Sequence, residues 1–105
     1  MVKFTVLYGR PDDPGAFEDH YANAHLPMVG RMPDLLRHES AKAVAAPDGS
    51  VGGGEPPYYR AFGAYFEDMG RLQGSLSSPE GQAVTEDIPN FATGGATIFV
   101  SEIDA

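Results

Sequence analysis

The sequence contains no cysteine and no tryptophan. Without cysteine there is no disulfide staple, no thiolate nucleophile and no cysteine-ligated metal centre, so packing must hold the fold and other groups must carry any chemistry. Basic residues are scarce: seven Lys and Arg against fifteen Asp and Glu leave a formal charge of −8. Such a surface repels nucleic acid and anionic bilayers, and neither is an expected partner. No apolar run approaches the roughly 20 residues that a bilayer requires, and the first residues lack a charged-then-apolar leader, so no membrane contact and a cytoplasmic location are expected. The length, 105 residues, suits a single domain over 1–105. A chain of this size buries roughly 60–70 per cent of its unfolded surface, enough for one sheet and a few helices.

What is present reads as alternating strands and helices. Val2, Phe4, Val6 and Tyr8 alternate with Lys3, Thr5 and Leu7, which predicts a strand. Asp13 can accept from the free amides of a helix start, and Pro14 suits the first helical position because its missing N–H had no partner there. Phe17, Tyr21, Ala24 and Met28 form the apolar stripe of that helix, and Pro27 is expected to kink or end it. Residues 35–44 predict a second strand whose charges keep it at an edge. Residues 47–57 are too rich in glycine and proline for regular structure and are expected to be mobile. The third strand, over 58–66, is apolar on both sides, with Tyr58, Phe62, Ala64 and Phe66 opposing Tyr59, Ala61, Gly63 and Tyr65, so it belongs at the sheet centre. Asp68 caps a short helix with Met69, Leu72 and Leu76, and Ser78-Pro79 restarts helix through Ala83, Val84 and Ile88, ending at Pro89. Gly94-Gly95 then turns the chain into a last strand over 96–103.

The order βαββαβ places both helical blocks on one face of a four-stranded antiparallel sheet, an α+β fold. The other face would carry Leu7, Phe99 and the second side of the third strand without cover, more apolar surface than a monomer ordinarily leaves in water. At about 25 cal/mol per Å2, covering several hundred Å2 per subunit offers on the order of 10 kcal/mol before association costs, so a homodimer joined sheet to sheet is expected.

Four segments in order, Arg10-Pro11-Asp12-Asp13-Pro14 with Phe17, Tyr21-Ala22-Asn23-Ala24-His25-Leu26-Pro27, Ser78-Pro79-Glu80-Gly81-Gln82 and Asp87-Ile88-Pro89-Asn90-Phe91, resemble the EthD proteins, named for a component of bacterial ethyl tert-butyl ether degradation. The likeness spans nearly the whole chain. It implies a dimeric α+β barrel in which two ferredoxin-like sheets face one another with helices outside. It also implies a cleft between sheet and helices, of the sort that related barrels use to oxygenate, isomerise, dehydrate or decarboxylate aromatic and polyketide-like compounds. The triple glycine at 52–54 departs from the family pattern.

His25 follows Tyr21 by four residues, so both share a stripe aimed at the sheet. A plain reading makes it a structural histidine in a last helical turn, where a cation and a ring N–H are welcome. A functional reading, strengthened by the resemblance, makes it the general acid or base, since its unperturbed pKa lies near the working pH. Both stand at this point. Tyr8, Tyr21 and Tyr65 are candidate substrate-binding residues, because a buried phenol needs a partner for its O–H, and Phe91 is a candidate lid. Capping and turn formation account for Asp87 and Asn90, and Ser78 reads as a helix cap rather than a nucleophile. No metal site is expected: His20 and His25, five apart, point about 140° away from each other on an α-helix, and His38 lies on a strand. No cofactor is expected either. The resulting expectation is a cofactor-independent enzyme of oxidoreductase, isomerase or lyase type, acting on a small apolar oxygenated or aromatic compound, with a non-catalytic binder or accessory to an oxygenase system as the alternative.

Overall fold

The computed structural model describes residues 1–44 and 56–104. The loop expected over 47–57 therefore lies, apart from Pro56 and Pro57, outside the described residues. Strand β1 (Val2–Tyr8) and strand β3 (Arg60–Phe66) form the centre of one antiparallel sheet, with β2 (Arg37–Lys42) and β4 (Ala96–Glu102) at its edges in the order β2-β3-β1-β4. The register pairs Val2 with Phe66, Phe4 with Ala64 and Val6 with Phe62, so the helix-facing side of both central strands is buried apolar surface. Period-two alternation fixes this register, since a slip of one residue would turn every one of these side chains to the other face.

The third strand begins two residues later than the alternation predicts. Tyr59 donates its N–H to the Tyr8 carbonyl at 2.7 Å and packs its ring edge-on against Phe17 at 5.2 Å, while Tyr58 is exposed. The pleat starts only at Arg60, so the residues before it do not alternate, and the ring that reaches Phe17 is the one that buries.

Pro27, expected to kink or end its helix, and Pro89, expected to end one, both sit inside helical segments. Helix α1 (Pro14–His20), capped by the Asp13 carboxylate accepting from the Ala16 N–H, runs without a break into a π-helical turn (Tyr21–His25) and then into α2 (Leu26–Val29). The Leu26 N–H donates to the Tyr21 carbonyl five residues back. This wider turn accommodates Pro27, whose ring would clash with a carbonyl in a regular helix. It also moves the buried stripe: Phe17, Tyr21, His25 and Val29 are buried at a spacing of four, in place of the Ala24 and Met28 expected from a regular helix. Helix α3 (Met69–Ser77) and helix α4 (Pro79–Phe91) meet at Ser78, which caps α4 by accepting from the Gly81 N–H. Helix α4 continues through Pro89 to Phe91.

The ends of α1 and α4 are tied together at one close crossing. A Cβ on Gly9 would lie 2.2 Å from the Gly94 carbonyl oxygen, so only glycine allows the two segments to touch, and Gly9 N–H donates to the Gly95 carbonyl while Asp12 N–H donates to Thr93 Oγ1. Gly95 itself turns at φ 91° into β4.

The face of the sheet away from the helices is of two kinds. Leu7, Ala41, Ala61 and Phe99 occupy one half, Phe99 at 45 % exposure. The other half, expected to be apolar, is charged: Glu39 accepts from the Tyr65 hydroxyl at 2.6 Å and pairs with Lys3 and Arg37, whose guanidinium lies 3.9 Å over the Tyr65 ring. Among the described residues no helix is long and apolar enough to cross a membrane.

Candidate active site

Continuation of both helices past their prolines builds the site. Along α4 the positions Val84, Asp87, Ile88 and Phe91 share one face, and the turn beyond Pro89 brings Phe91 over the π turn, 4.6 Å between its ring centroid and that of His25. Asp87 thus points from an otherwise apolar stripe into the same layer. The buried His25 Nδ1 donates to Asp87 Oδ2 at 2.8 Å. His20 Nε2 donates to the two oxygens of the same carboxylate at 2.9 and 3.0 Å, and Asn90 Nδ2 donates to Oδ1 at 3.0 Å.

The spacing of five between His20 and His25, which separates them on a regular helix, brings them onto one carboxylate here because the intervening turn is π-helical. His25 is 2 % exposed, Asp87 side chain 7 % and His20 side chain 35 %, so the array runs from the interior to the surface.

Protonation follows from this geometry. Burial alone would raise the Asp87 pKa, but the hydrogen bonds from Asn90, His20 and His25 outweigh it and hold the group below its usual value. Asp87 is therefore an ionised acceptor at neutral pH, and the proton between it and His25 sits on Nδ1. Burial lowers the His25 pKa, and the hydrogen bond and charge of Asp87 only partly oppose this. The imidazole is consequently neutral near pH 7 with its lone pair on Nε2, a nitrogen that meets no hydrogen-bond partner among the described residues.

Around the pair lies an aromatic cluster. Tyr21 stacks on His25 at 5.9 Å, and Tyr8, fully buried, packs against Phe17, Tyr21 and Phe91 at 5.4 to 5.7 Å. Burial pushes both phenols up, the rise at Tyr21 being opposed by its hydrogen bond with Ser40 and by the Arg60 charge. The Tyr21 hydroxyl lies 2.7 Å from Ser40 Oγ on β2, which also accepts from Arg60, itself paired through both arms with Glu18.

Of the residues singled out in the sequence, His25, Tyr21, Tyr8 and Phe91 come together on the helix side of the sheet. Tyr65 does not: it faces the opposite side, with its hydroxyl committed to Glu39. His20, Asp87 and Asn90 were not among the candidates. Their signal was an acid at a core-facing position of the Val84, Ile88, Phe91 stripe, since a carboxylate is rarely buried without partners. Among the described residues, the surface hollows of about 260 to 510 Å3 beside Val100, Tyr59, Ile98 and Met28 do not have His25 in their walls. No cluster of three or more His, Asp or Glu suited to a metal ion occurs among the described residues.

Known proteins share this arrangement of elements. The model of the EthD domain matches residues 11–95. An uncharacterized 11.0 kDa protein from the thcB-thcC intergenic region of Rhodococcus erythropolis is 34 % identical over 102 residues, covering 97 % of this chain and 94 % of that one. The crystal structure of an ethyl tert-butyl ether d (EthD) family protein from Bacillus halodurans superposes with a TM-score of 0.89 at 32 % identity, covering 99 % of both chains. Two further structures share the fold alone: a dimeric ferredoxin-like protein of unknown function from Thermobifida fusca (TM-score 0.70, 13 % identity, 97 % of this chain and 90 % of that one) and SnoaB, a cofactor-independent oxygenase from Streptomyces nogalater (0.67, 15 %, 99 % and 93 %). The fold is thus ferredoxin-like α+β, and with most of its length matched by the domain model and by two relatives above 30 % identity, the chain belongs to the EthD family.

Proposed function

We propose that His25 is a general base acting on a small apolar oxygenated or aromatic compound, without a cofactor, in small-molecule catabolism or biosynthesis. One observation carries this reading: a buried imidazole whose Nδ1 lies 2.8 Å from a buried carboxylate and whose Nε2 has no partner among the described residues. Nε2 accepts a proton from an acidic C–H or O–H of the compound, the electron pair stays on the compound as an enolate or phenolate, and Asp87 stabilises the imidazolium that forms. Tyr21, Tyr8 and Phe91 supply the apolar wall, and Phe91, two residues beyond Pro89, is the lid that must shift to admit a ligand. Removal of such a proton opens isomerisation, elimination and reaction of the carbanion with dioxygen alike, and a cofactor-independent oxygenase shares the fold. The test is turnover against a panel of aromatic and ether-derived compounds, with His25→Gln as the control. A loss of roughly 10²- to 10⁴-fold in the variant, with its fold intact, is expected; an equally active variant would refute the base.

We also infer that a second copy covers the apolar half of the sheet. Phe99 is 45 % exposed on that face beside Leu7, Ala41 and Ala61, and β4 is an edge strand of the sheet. A fold relative is described as dimeric. Sedimentation at micromolar concentration should give twice the 11.2 kDa chain mass, and Phe99→Asp should halve it. A monomeric wild type would refute the dimer.

A second reading, a carrier or an accessory to an oxygenase system, draws on the tight enclosure of His25, which is 2 % exposed. Native mass spectrometry separates the two. A carrier retains a small molecule through purification and releases it in His25→Ala, and no compound of the panel turns over.

A further inference from the structure

His20 enters no step of the proton transfer proposed for His25, yet it holds the same carboxylate. We propose that His20 is a positioning residue that keeps His25 a neutral base in mildly acidic solution, because two imidazoles share one buried carboxylate and a charge on the outer ring opposes one on the inner. The proposal rests on the reading of His25 as a base.

The geometry leaves room for only one imidazolium. Both rings meet Asp87 Oδ2, at 2.8 Å from His25 and 2.9 Å from His20, and Asn90 occupies the remaining side of Oδ1. Two cations so placed would repel across a single negative charge, so the first proton disfavours the second. Exposure sets the cost of charge on each ring. The His20 side chain keeps 35 % of its surface, and its charge stays hydrated; His25, at 2 %, would lose its hydration entirely.

No other group relieves this competition. Among the described residues, the titratable and charged groups near the pair are Asp87 from α4, Tyr8 from β1, Arg60 from β3, and Glu18, Asp19 and Tyr21 from the histidines' own helix. Arg60 is occupied by Glu18, Asp19 accepts from Asn23, and both tyrosines are held neutral by burial. Asp87 is the only carboxylate among the described residues that contacts either imidazole. The charge of a protonated His20 lowers the basicity of His25, in the direction that keeps Nε2 unprotonated.

The experiment is an NMR titration of the three histidine rings, with His38, which lies against Phe62 away from the array, as the internal reference. In His20→Gln the side-chain amide still donates to Asp87 but carries no charge, and the His25 midpoint should rise by about half a pH unit or more. A purely structural role for His20 would leave that midpoint where it is. An unchanged or lower His25 midpoint in His20→Gln overturns the proposal. His20→Asn, which carries no charge either, reads the same midpoint if His20→Gln does not fold. Because no turnover is read, an inactive His25→Gln beside an unmoved midpoint would uphold the base and refute only the part given to His20.

Discussion

Replacing Asp87 by asparagine keeps the shape of the side chain while removing its charge and one of its two acceptor oxygens. Three donors converge on Asp87: His25 Nδ1–H, His20 Nε2–H and Asn90 Nδ2–H. An asparagine presents an NH2 to one of them, so the buried His25 either faces a donor with a donor or turns to the opposite tautomer, which puts a proton on Nε2. Hydrogen bonds to a charged partner contribute about 1.5–3 kcal/mol when buried, and the two more exposed ones less, so Asp87→Asn should cost about 3 kcal/mol. For a domain of this size that corresponds to roughly 10–20 °C in Tm. Urea unfolding, at a protein concentration held fixed so that association does not enter the comparison, should show a lower midpoint with an unchanged slope. Asp19→Asn, which alters an exposed carboxylate bonded to Asn23, should stay within about 0.5 kcal/mol. If Asp87→Asn were equally mild, the carboxylate would not be organising the site.

Other consequences follow from the same contacts. His25 is harder to protonate in the folded chain than at its ordinary value of 6.5, so the unfolded state binds more protons below that pH, and stability should fall as the pH drops from about 6.5, a slope that His25→Gln should flatten. Raised Tyr8 and Tyr21 phenols act at the other end: the unfolded chain releases their protons first, so stability should fall above about pH 10. Tyr21→Phe leaves Ser40 without its 2.7 Å partner and should cost about 1 kcal/mol in urea unfolding. Gly74→Ala, with nothing within 4 Å of the new Cβ, should stabilise α3 by about 0.5–1 kcal/mol. Gly81→Ala should destabilise by about 1–3 kcal/mol or more, since its Cβ would lie 2.0 Å from the Ser75 carbonyl oxygen and force α3 and α4 apart.

Much of the framework was legible because it is local. Alternation in β1, the Asp13, Asp68 and Ser78 caps and the edge position of the charged β2 each depend on a few neighbouring residues, and each is found where the sequence places it. The site was half legible. His25 and Tyr21 follow from stripe position alone, but Pro27 reads as a kink or a stop and Pro89 as a stop, and neither reading shows what they build. A π turn ahead of Pro27 rotates His20 onto the face of His25, and the turn beyond Pro89 sets Phe91 on the face of Asp87. Neither follows from propensity, because proline in a helix is tolerated only where tertiary packing offsets its cost. Tyr65 was misplaced for a different reason. Apolar alternation on both sides of β3 does not say which side meets the helices, and the charges that cover Tyr65 come from β1 and β2.

The central claim is that His25 stands neutral, with its proton on the nitrogen facing Asp87 and the other nitrogen bare. Long-range proton–nitrogen correlation NMR on the uniformly 15N-labelled protein at pH 7 reads this directly. The account predicts one protonated nitrogen, Nδ1, and one unprotonated nitrogen, Nε2, on the His25 ring. A protonated Nε2 in the resting protein, whether as the other tautomer or as an imidazolium, would contradict it.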